Sequence, residues 1–516
     1  MNRTKNSIYN LLSGLGGQLL VVLVRFYTRT VFIETLGAQY LGINGLFSDI
    51  LTMLSLTELG LDTALNFKLY KPLAENDDRR VRIIMKFYKT AYTIIGVVIL
   101  ALGIGIIPLL PYLIQDYDTL QNLGINAVLI FILYLLQSVS SYLFLAYRSA
   151  IIKAAQKSYI LNIAGYVVTI LTNISQVIIL RVWRSFTLYT ACVIFYNIVQ
   201  NIINSKIATK YYPKAFIKEK EKLSISEIRD IFKDLSALFL YKVNGVVLKA
   251  TDNLVLSTFM GLSIVGLYSN YLLFYTTIRG ILNKIYDAVK ASAGNLFAIG
   301  DSNQKYLFFK VMNLVSALMF GTACVGVSVE ANELICQWIG SNYVIPQPFS
   351  ILMGIEIFFV GIKLNLGTIR NVSGAFRQMW FRPLLGIVVN LAVSIAMVNK
   401  CGIYGVLIGT IVADFSTNFM VDPFVIFKYS LDENRSVSEY YKKNAQYVVV
   451  ILAVGLIDRT ICTSFFVGLG WFSVAIHCII CGLSVPSAFY IAFKNDEECR
   501  YLIKKIKSIV KSKNKL

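Results

Sequence analysis

Apolar runs of about 20 residues recur along the whole chain, separated by short charged segments. A helix rises about 1.5 Å per residue, so each run is long enough to cross a hydrocarbon layer about 30 Å thick. The pattern predicts about fourteen spans, near 9–33, 42–67, 84–108, 124–146, 159–180, 187–203, 236–259, 267–289, 307–329, 349–367, 384–399, 403–425, 446–462 and 469–492. Alternating strands of the outer-membrane type do not occur. The expectation is an all-α polytopic membrane protein.

Polar residues inside these runs follow helical periodicity. Arg25 and Arg29 are one turn apart in the first span, on a stripe that continues back through Gln18 and Gly14. A charge at the bilayer centre costs about 3 kcal/mol even on low estimates, so this stripe is expected to face a water-filled cavity or a bundle interior. The stretch ends in Leu36-Gly37-Ala38-Gln39-Tyr40-Leu41-Gly42, and its spacing G-x-x-x-(L/V)-G returns 224 residues later at Gly261 to Gly266. At the same offset Arg25 falls on Lys249. The chain therefore reads as a duplicated membrane protein, with Gly37 and Gly261 at equivalent turns and Gly42 and Gly266 beside them as hinge candidates.

Further intramembrane charge is organised the same way. In span two Asp49 comes level with Arg29 as a salt-bridge partner, while Glu58 and Asp62 either line a gate or stay hydrated at the interface. Span seven places Lys242, Gly245, Lys249 and Asp252 on one face, and span eight Tyr275, Arg279, Asn283, Tyr286 and Lys290. Snorkelling to the interface accounts for Lys290 and Lys242 but not for Lys249 and Arg279. Span ten adds Glu356 and Lys363, and span twelve Asp414, Asn418 and Asp422. The acids either neutralise the cations or bind a coupling proton or Na+; spacing alone leaves both open. Arg25, Arg29, Lys249 and Arg279, with Gln18 and Asn283, are the candidate anion ligands, because arginine gives phosphate paired charge-assisted hydrogen bonds.

Composition agrees. The 516 residues are 56% hydrophobic and 15% charged, with mean hydropathy +0.63. A net charge of +20 would suggest nucleic acid in a soluble protein, but here it follows loop positions. Lys and Arg, among them Arg370, Arg377 and Arg382, crowd the loops on the side of the N-terminus and are sparse on the other, which places both termini in the cytoplasm. Cys478 and Cys481 stand in an apolar helix without a companion pair, and the single histidine, His477, reads as a packed or lipid-facing residue. Glu330 and Glu333 fall in an outer loop. No P-loop, G-x-S-x-G or H-E-x-x-H pattern is present, and no outer loop is long enough to build a glycosyl-transfer site. No resident cofactor is expected. The connection 204–235 contains KEKEKLSISEIRDIFKDL, an amphipathic helix expected to lie on the cytoplasmic interface, and the basic tail 494–516 is expected on anionic headgroups.

The stretches TLGAQYLGINGLFSDILTMLSLTELGL and TDNLVLSTFMGLSIVGLYSNYLLFY resemble the Wzx-type flippases of the polysaccharide transporter family, in one superfamily with lipid II flippases and MATE exporters. The resemblance implies two six-helix lobes around a central cationic cavity, here 1–203 (spans 1–6) and 236–427 (spans 7–12). Two extra helices follow in 428–493. It implies outward movement of undecaprenyl-diphosphate-linked oligosaccharide in a bacterial cytoplasmic membrane, with membrane lipids and other polysaccharide-synthesis proteins as further partners and no nucleic acid. The family's first-helix arginine matches Arg25, and an eighth-helix arginine of the lipid II flippases matches Arg279. The sodium site of some relatives does not map residue for residue; Asp252 and Asp414 are its candidates, with Asn418 and Asp422 nearby. Tyr27, Tyr275 and Tyr286 are placed to pack on sugar faces. Two rivals predict different features: a MATE-like cation exporter expects a buried acid in span one where this chain has arginines, and a membrane glycosyl-transferring enzyme expects large outer loops.

Overall fold

The apolar runs fold as helices, and polar residues at their borders start them. Asp77, Asn126, Ser185 and Asp301 each accept a hydrogen bond from a backbone N–H in the first turn of the helix that follows. The computed structural model describes residues 3–55, 61–122, 125–373, 381–431, 435–466 and 468–513. Among these no strand occurs.

In chain order the helices are α1 (Arg3–Leu36), α2 (Ala38–Leu54), α3 (Leu61–Glu75), α4 (Asp78–Ile106), α5 (Ala127–Leu143), α6 (Ser149–Ala154), α7 (Ser158–Trp183), α8 (Phe186–Tyr211), α9 (Ile225–Met260), α10 (Leu262–Ile299), α11 (Ser302–Ile339), α12 (Pro348–Ser373), α13 (Arg382–Cys401), α14 (Tyr404–Asp414), α15 (Asp422–Ile426), α16 (Val437–Phe465), α17 (Trp471–Phe493) and α18 (Glu497–Lys513). Among the described residues nine helices are long and apolar enough to cross a membrane, and a tenth span results if α5 and the bent stretch Ala146–Ala154 count as one. The four other expected spans coincide with α1, α2, α9 and α10, which include or border residues outside those described. The chain is a multi-pass integral membrane protein with an all-α polytopic fold.

Packing divides the chain into two units, residues 1–266 and 267–516. In the first, α1 lies along α7, α5 against α4 and α8, and α9 against α2. In the second, α11 is the central helix, packed on α12, α16, α17 and α18, while α13 pairs with α14. Phe309, Leu366, Phe427, Tyr447, Val485 and Phe489 belong to its buried apolar core.

The amphipathic segment differs from expectation. A separate interfacial helix was expected within 218–235; instead α9 starts at Ile225 and runs unbroken into the expected span. Ser224 and Glu227 form a capping box that sets the start, and no proline follows within the helix to stop it. The remaining connection is strapped to the first turns of α4. Arg79 pairs with Glu221 and Arg80 with Glu227. Arg82 Nε lies 3.0 Å from Glu219 Oε2, and Lys214 Nζ 3.0 Å from Asp78. Lys86 Nζ donates to the carbonyl oxygens of Glu219, Lys220 and Glu221 at 2.7, 2.9 and 3.2 Å. The hydrogen bond from Arg80 holds the Glu227 carboxyl at about 2, well below the usual carboxylate range.

Candidate functional site

The duplicated turns carry the site residues of the first unit. Gly37 and Gly261 each have positive φ with extended ψ, a region only glycine enters cheaply. Just beyond them the backbones meet closely. A side-chain carbon at Gly42 would stand 2.0 Å from the Leu262 carbonyl oxygen, and one at Gly266 would stand 2.1 Å from that of Ala38. The 224-residue offset carries 38 to 262 and 42 to 266, so the contact is reciprocal, as a local two-fold axis requires.

Arg25 is exposed on α1, where Leu23 and Tyr27 are exposed as well. Arg29 is half-buried beside Tyr134 of α5 and Tyr189 of α8. Asp49, expected opposite Arg29, accepts a hydrogen bond from Asn253 Nδ2 at 2.6 Å. Asn253 is the 224-residue counterpart of Arg29. Asp252 is buried next to it. Glu58 and the side chains of Gln18, Asp62, Lys242, Lys249 and Lys290 lie outside the described residues.

In the second unit a polar chain runs from α10 through α12 to the α14–α15 region. Arg279 Nη1 donates to Tyr275 Oη at 3.5 Å, and Tyr275 donates to Glu356 at 2.8 Å. Glu356, Lys363 and Arg370 follow at seven-residue steps on one face of α12, each step about 10 Å along the axis. Lys363 Nζ lies 3.0 Å from Asp414 Oδ1, which also accepts from Asn418 Nδ2 at 2.7 Å. Asn418 Oδ1 in turn accepts from Arg382. Asp422, fully buried at 0% exposure, pairs with Arg370 and with Arg382 Nε at 3.3 Å. Between α14 and α15 the helix widens into π-turns at Phe415–Phe419, just before Pro423, which has no N–H for the α-helical ladder. Asn283, one turn beyond Arg279, is half-buried, and its Oδ1 has no hydrogen-bond partner among the described residues.

No protein-family model matches the sequence, and no curated protein does. Solved structures match over most of the chain. A lipid II flippase MurJ in an inward closed conformation superposes with a TM-score of 0.60 at 14% identity, covering 94% of this chain and 99% of its own. The MATE multidrug transporter DinF-BH gives a TM-score of 0.58 at 16% identity, covering 83% and 95%. An inward-facing multidrug resistance MATE family transporter of the MOP superfamily gives 0.57 at 13%, covering 79% and 94%.

The fold is that of the MATE and MurJ structures.

Within this fold several polar partners escaped the sequence reading. Arg370 and Arg382, read as cytoplasmic loop charges, are buried ligands of Asp422. The seven-residue step from Glu356 to Lys363 continues to Arg370 and was the available signal. Glu330, read as an outer-loop acid, is buried in α11, and its Oε2 lies 2.6 Å from His477 Nδ1 of α17. That pairing had no signal in the sequence, because α11 and α17 are far apart along the chain.

Proposed function

We propose that the protein is a transporter that moves an undecaprenyl-diphosphate-linked oligosaccharide from the cytoplasmic to the outer leaflet by alternating access, without covalent chemistry. One observation carries this reading: Arg25, in an expected membrane span, is exposed and in no ion pair among the described residues, and Arg279 reaches the Glu356 carboxylate only through the Tyr275 hydroxyl. A guanidinium at that depth without a direct carboxylate partner is costly unless a ligand or water meets it, and a diphosphate suits its fork. The likeness to MurJ and MATE structures supports a transporter fold rather than an enzyme. A cation exporter fits poorly, since these arginines repel cations.

The acids read as ion-coupling candidates take another role in this proposal. Lys363, Arg370 and Arg382 already neutralise Asp414 and Asp422. We assign both carboxylates to internal counter-charge rather than to a coupling Na+ or proton. The membrane potential, negative inside, favours outward movement of an anion by about 2.3 kcal/mol per charge per 100 mV. In this proposal the membrane is the bacterial cytoplasmic one, with both termini inside.

The test is surface glycan in a deletion strain, with membrane protein quantified alongside. Arg25→Ala and Arg279→Ala are expected to keep the protein and abolish export, and Arg→Lys to retain partial activity because charge stays but the fork is lost. Wild-type export by the Arg25→Ala/Arg279→Ala double variant overturns the proposal.

A further inference from the structure

Where α11, α16 and α18 meet, all within residues 267–516, the packing leaves a cavity of about 140 Å³. Two of its walls are the phenols of Tyr440 and Tyr447, 4% and 0% exposed, whose hydroxyls have no hydrogen-bond partner among the described residues. A buried hydroxyl without a partner costs about 1–3 kcal/mol, and folded proteins seldom keep two of them on one cavity unless something else meets them. Two ammonium groups, of Lys310 and Lys443, also line it.

Their counter-charges come from one turn at the start of the tail. Lys310 pairs with Glu497 and stands 3.9 Å from Glu498; Lys443 pairs with Asp496 and stands 3.3 Å from Glu498. This acidic turn opens a tail that is otherwise basic, with Arg500, Lys504, Lys505 and Lys507 following. The remaining acid on the wall, Glu439, is engaged by the Tyr306 hydroxyl at 2.9 Å. The residues around one cavity thus bring two ammonium groups, held by the acidic turn, and two hydroxyls without a partner among the described residues. A tetrahedral oxyanion satisfies such a set, with its oxygens accepting from each donor. A cavity of about 150 Å³ holds a benzene-sized molecule, so a phosphate group fits and a nucleotide or glycan does not.

We propose that this cavity binds a phosphate-bearing anion, and that the acidic turn Asp496–Glu498 competes with that anion for Lys310 and Lys443. Binding then releases the start of α18, including Cys499, which is buried in the core cluster in this structure. The phosphate can belong to a lipid headgroup or be free in solution.

Cys499 provides the readout. The full-length protein is placed in phosphatidylcholine nanodiscs, and the rate of maleimide addition at Cys499 is followed by peptide mass spectrometry. Three conditions are compared: added phosphatidylglycerol, millimolar inorganic phosphate, and chloride at matched ionic strength. Addition is expected to rise about fivefold over chloride, as a ligand that selects the released tail shifts its population. A rise with the lipid alone assigns a headgroup; a rise with inorganic phosphate assigns a site open to free anion. The Tyr440→Phe/Tyr447→Phe variant loses no native hydrogen bond, so its chloride rate should match the parent while the rise disappears. The proposal is overturned if neither probe exceeds chloride, or if the phenylalanine variant responds as the parent does.

Discussion

Gly37 and Gly261 adopt the same backbone conformation, φ 83° and ψ −175° against φ 81° and ψ 170°. Two turns 224 residues apart thus share a conformation that side chains resist. Their surroundings differ. Nothing lies within 4 Å of a carbon added at Gly37, whereas at Gly261 it would stand 2.1 Å from Asp116 Oδ2.

Gly37→Ala should therefore cost strain alone, about 1–3 kcal/mol. Gly261→Ala adds displacement of a carboxylate and should cost more. Gly42→Ala and Gly266→Ala each drive a carbon into a backbone carbonyl, which cannot rotate away as a side chain can, and should be the least tolerated. Thermal melting followed by size-exclusion chromatography ranks the four. A Gly37→Ala protein less stable than Gly42→Ala would contradict this account.

Asp422 separates two buried guanidinium groups, while Asp414 serves a lysine whose side chain remains 29% exposed. Removing one partner of a buried ion pair costs about 3–5 kcal/mol because the other charge is stranded. Asp422→Asn should empty the membrane of protein. Asp414→Asn should be milder, since Lys363 can reach water. Immunoblots of membrane fractions make the comparison, and equal losses would mean that burial does not set the cost.

The strap that ties residues 214–227 to α4 should respond to acid. Glu227 titrates at about 2 in the folded protein against an ordinary 4.5. A depressed carboxyl contributes stability that is complete above the ordinary value and lost as pH falls through the folded one. Amide protection over residues 217–224, measured against the intrinsic exchange rate at each pH, should thus be high at pH 6, fall progressively below about 4.5, and be largely lost near 2. Salt should loosen the strap as well, because its Arg79–Glu221 pair is exposed and its Arg80–Glu227 pair only part-buried. Exchange that is already fast at pH 6 and low salt would show that the strap is not closed in solution.

The first-span arginines give a comparison within one helix. Arg29 is wedged beside Tyr134 and Tyr189, so Arg29→Ala should lower protein in the membrane by leaving a gap among packed rings. Arg25 is exposed, and Arg25→Ala should not. Quantified membrane protein decides; equal loss in both would make Arg25 structural.

The positions of the apolar helices, the duplication and the special turns at Gly37 and Gly261 were legible from the chain itself, though of the fourteen expected spans nine or ten qualify by length and hydropathy among the described residues. These depend on local quantities: the length of an apolar run, the 3.6-residue period, and a backbone conformation that glycine alone enters freely. Local patterning also placed Asp414, Asn418 and Asp422 on one face, and the structure keeps Asn418 hydrogen-bonded to Asp414. Partner choice was not legible. Arg370 and Arg382 looked like loop charges until the fold set them on Asp422. Asp49 accepts a hydrogen bond from Asn253 because α9 packs against α2, which no periodicity within either helix encodes. His477 found Glu330 across α11 and α17. A helix face is dictated by spacing along one segment, whereas a counter-ion is dictated by which segment lies alongside, and only tertiary packing decides that.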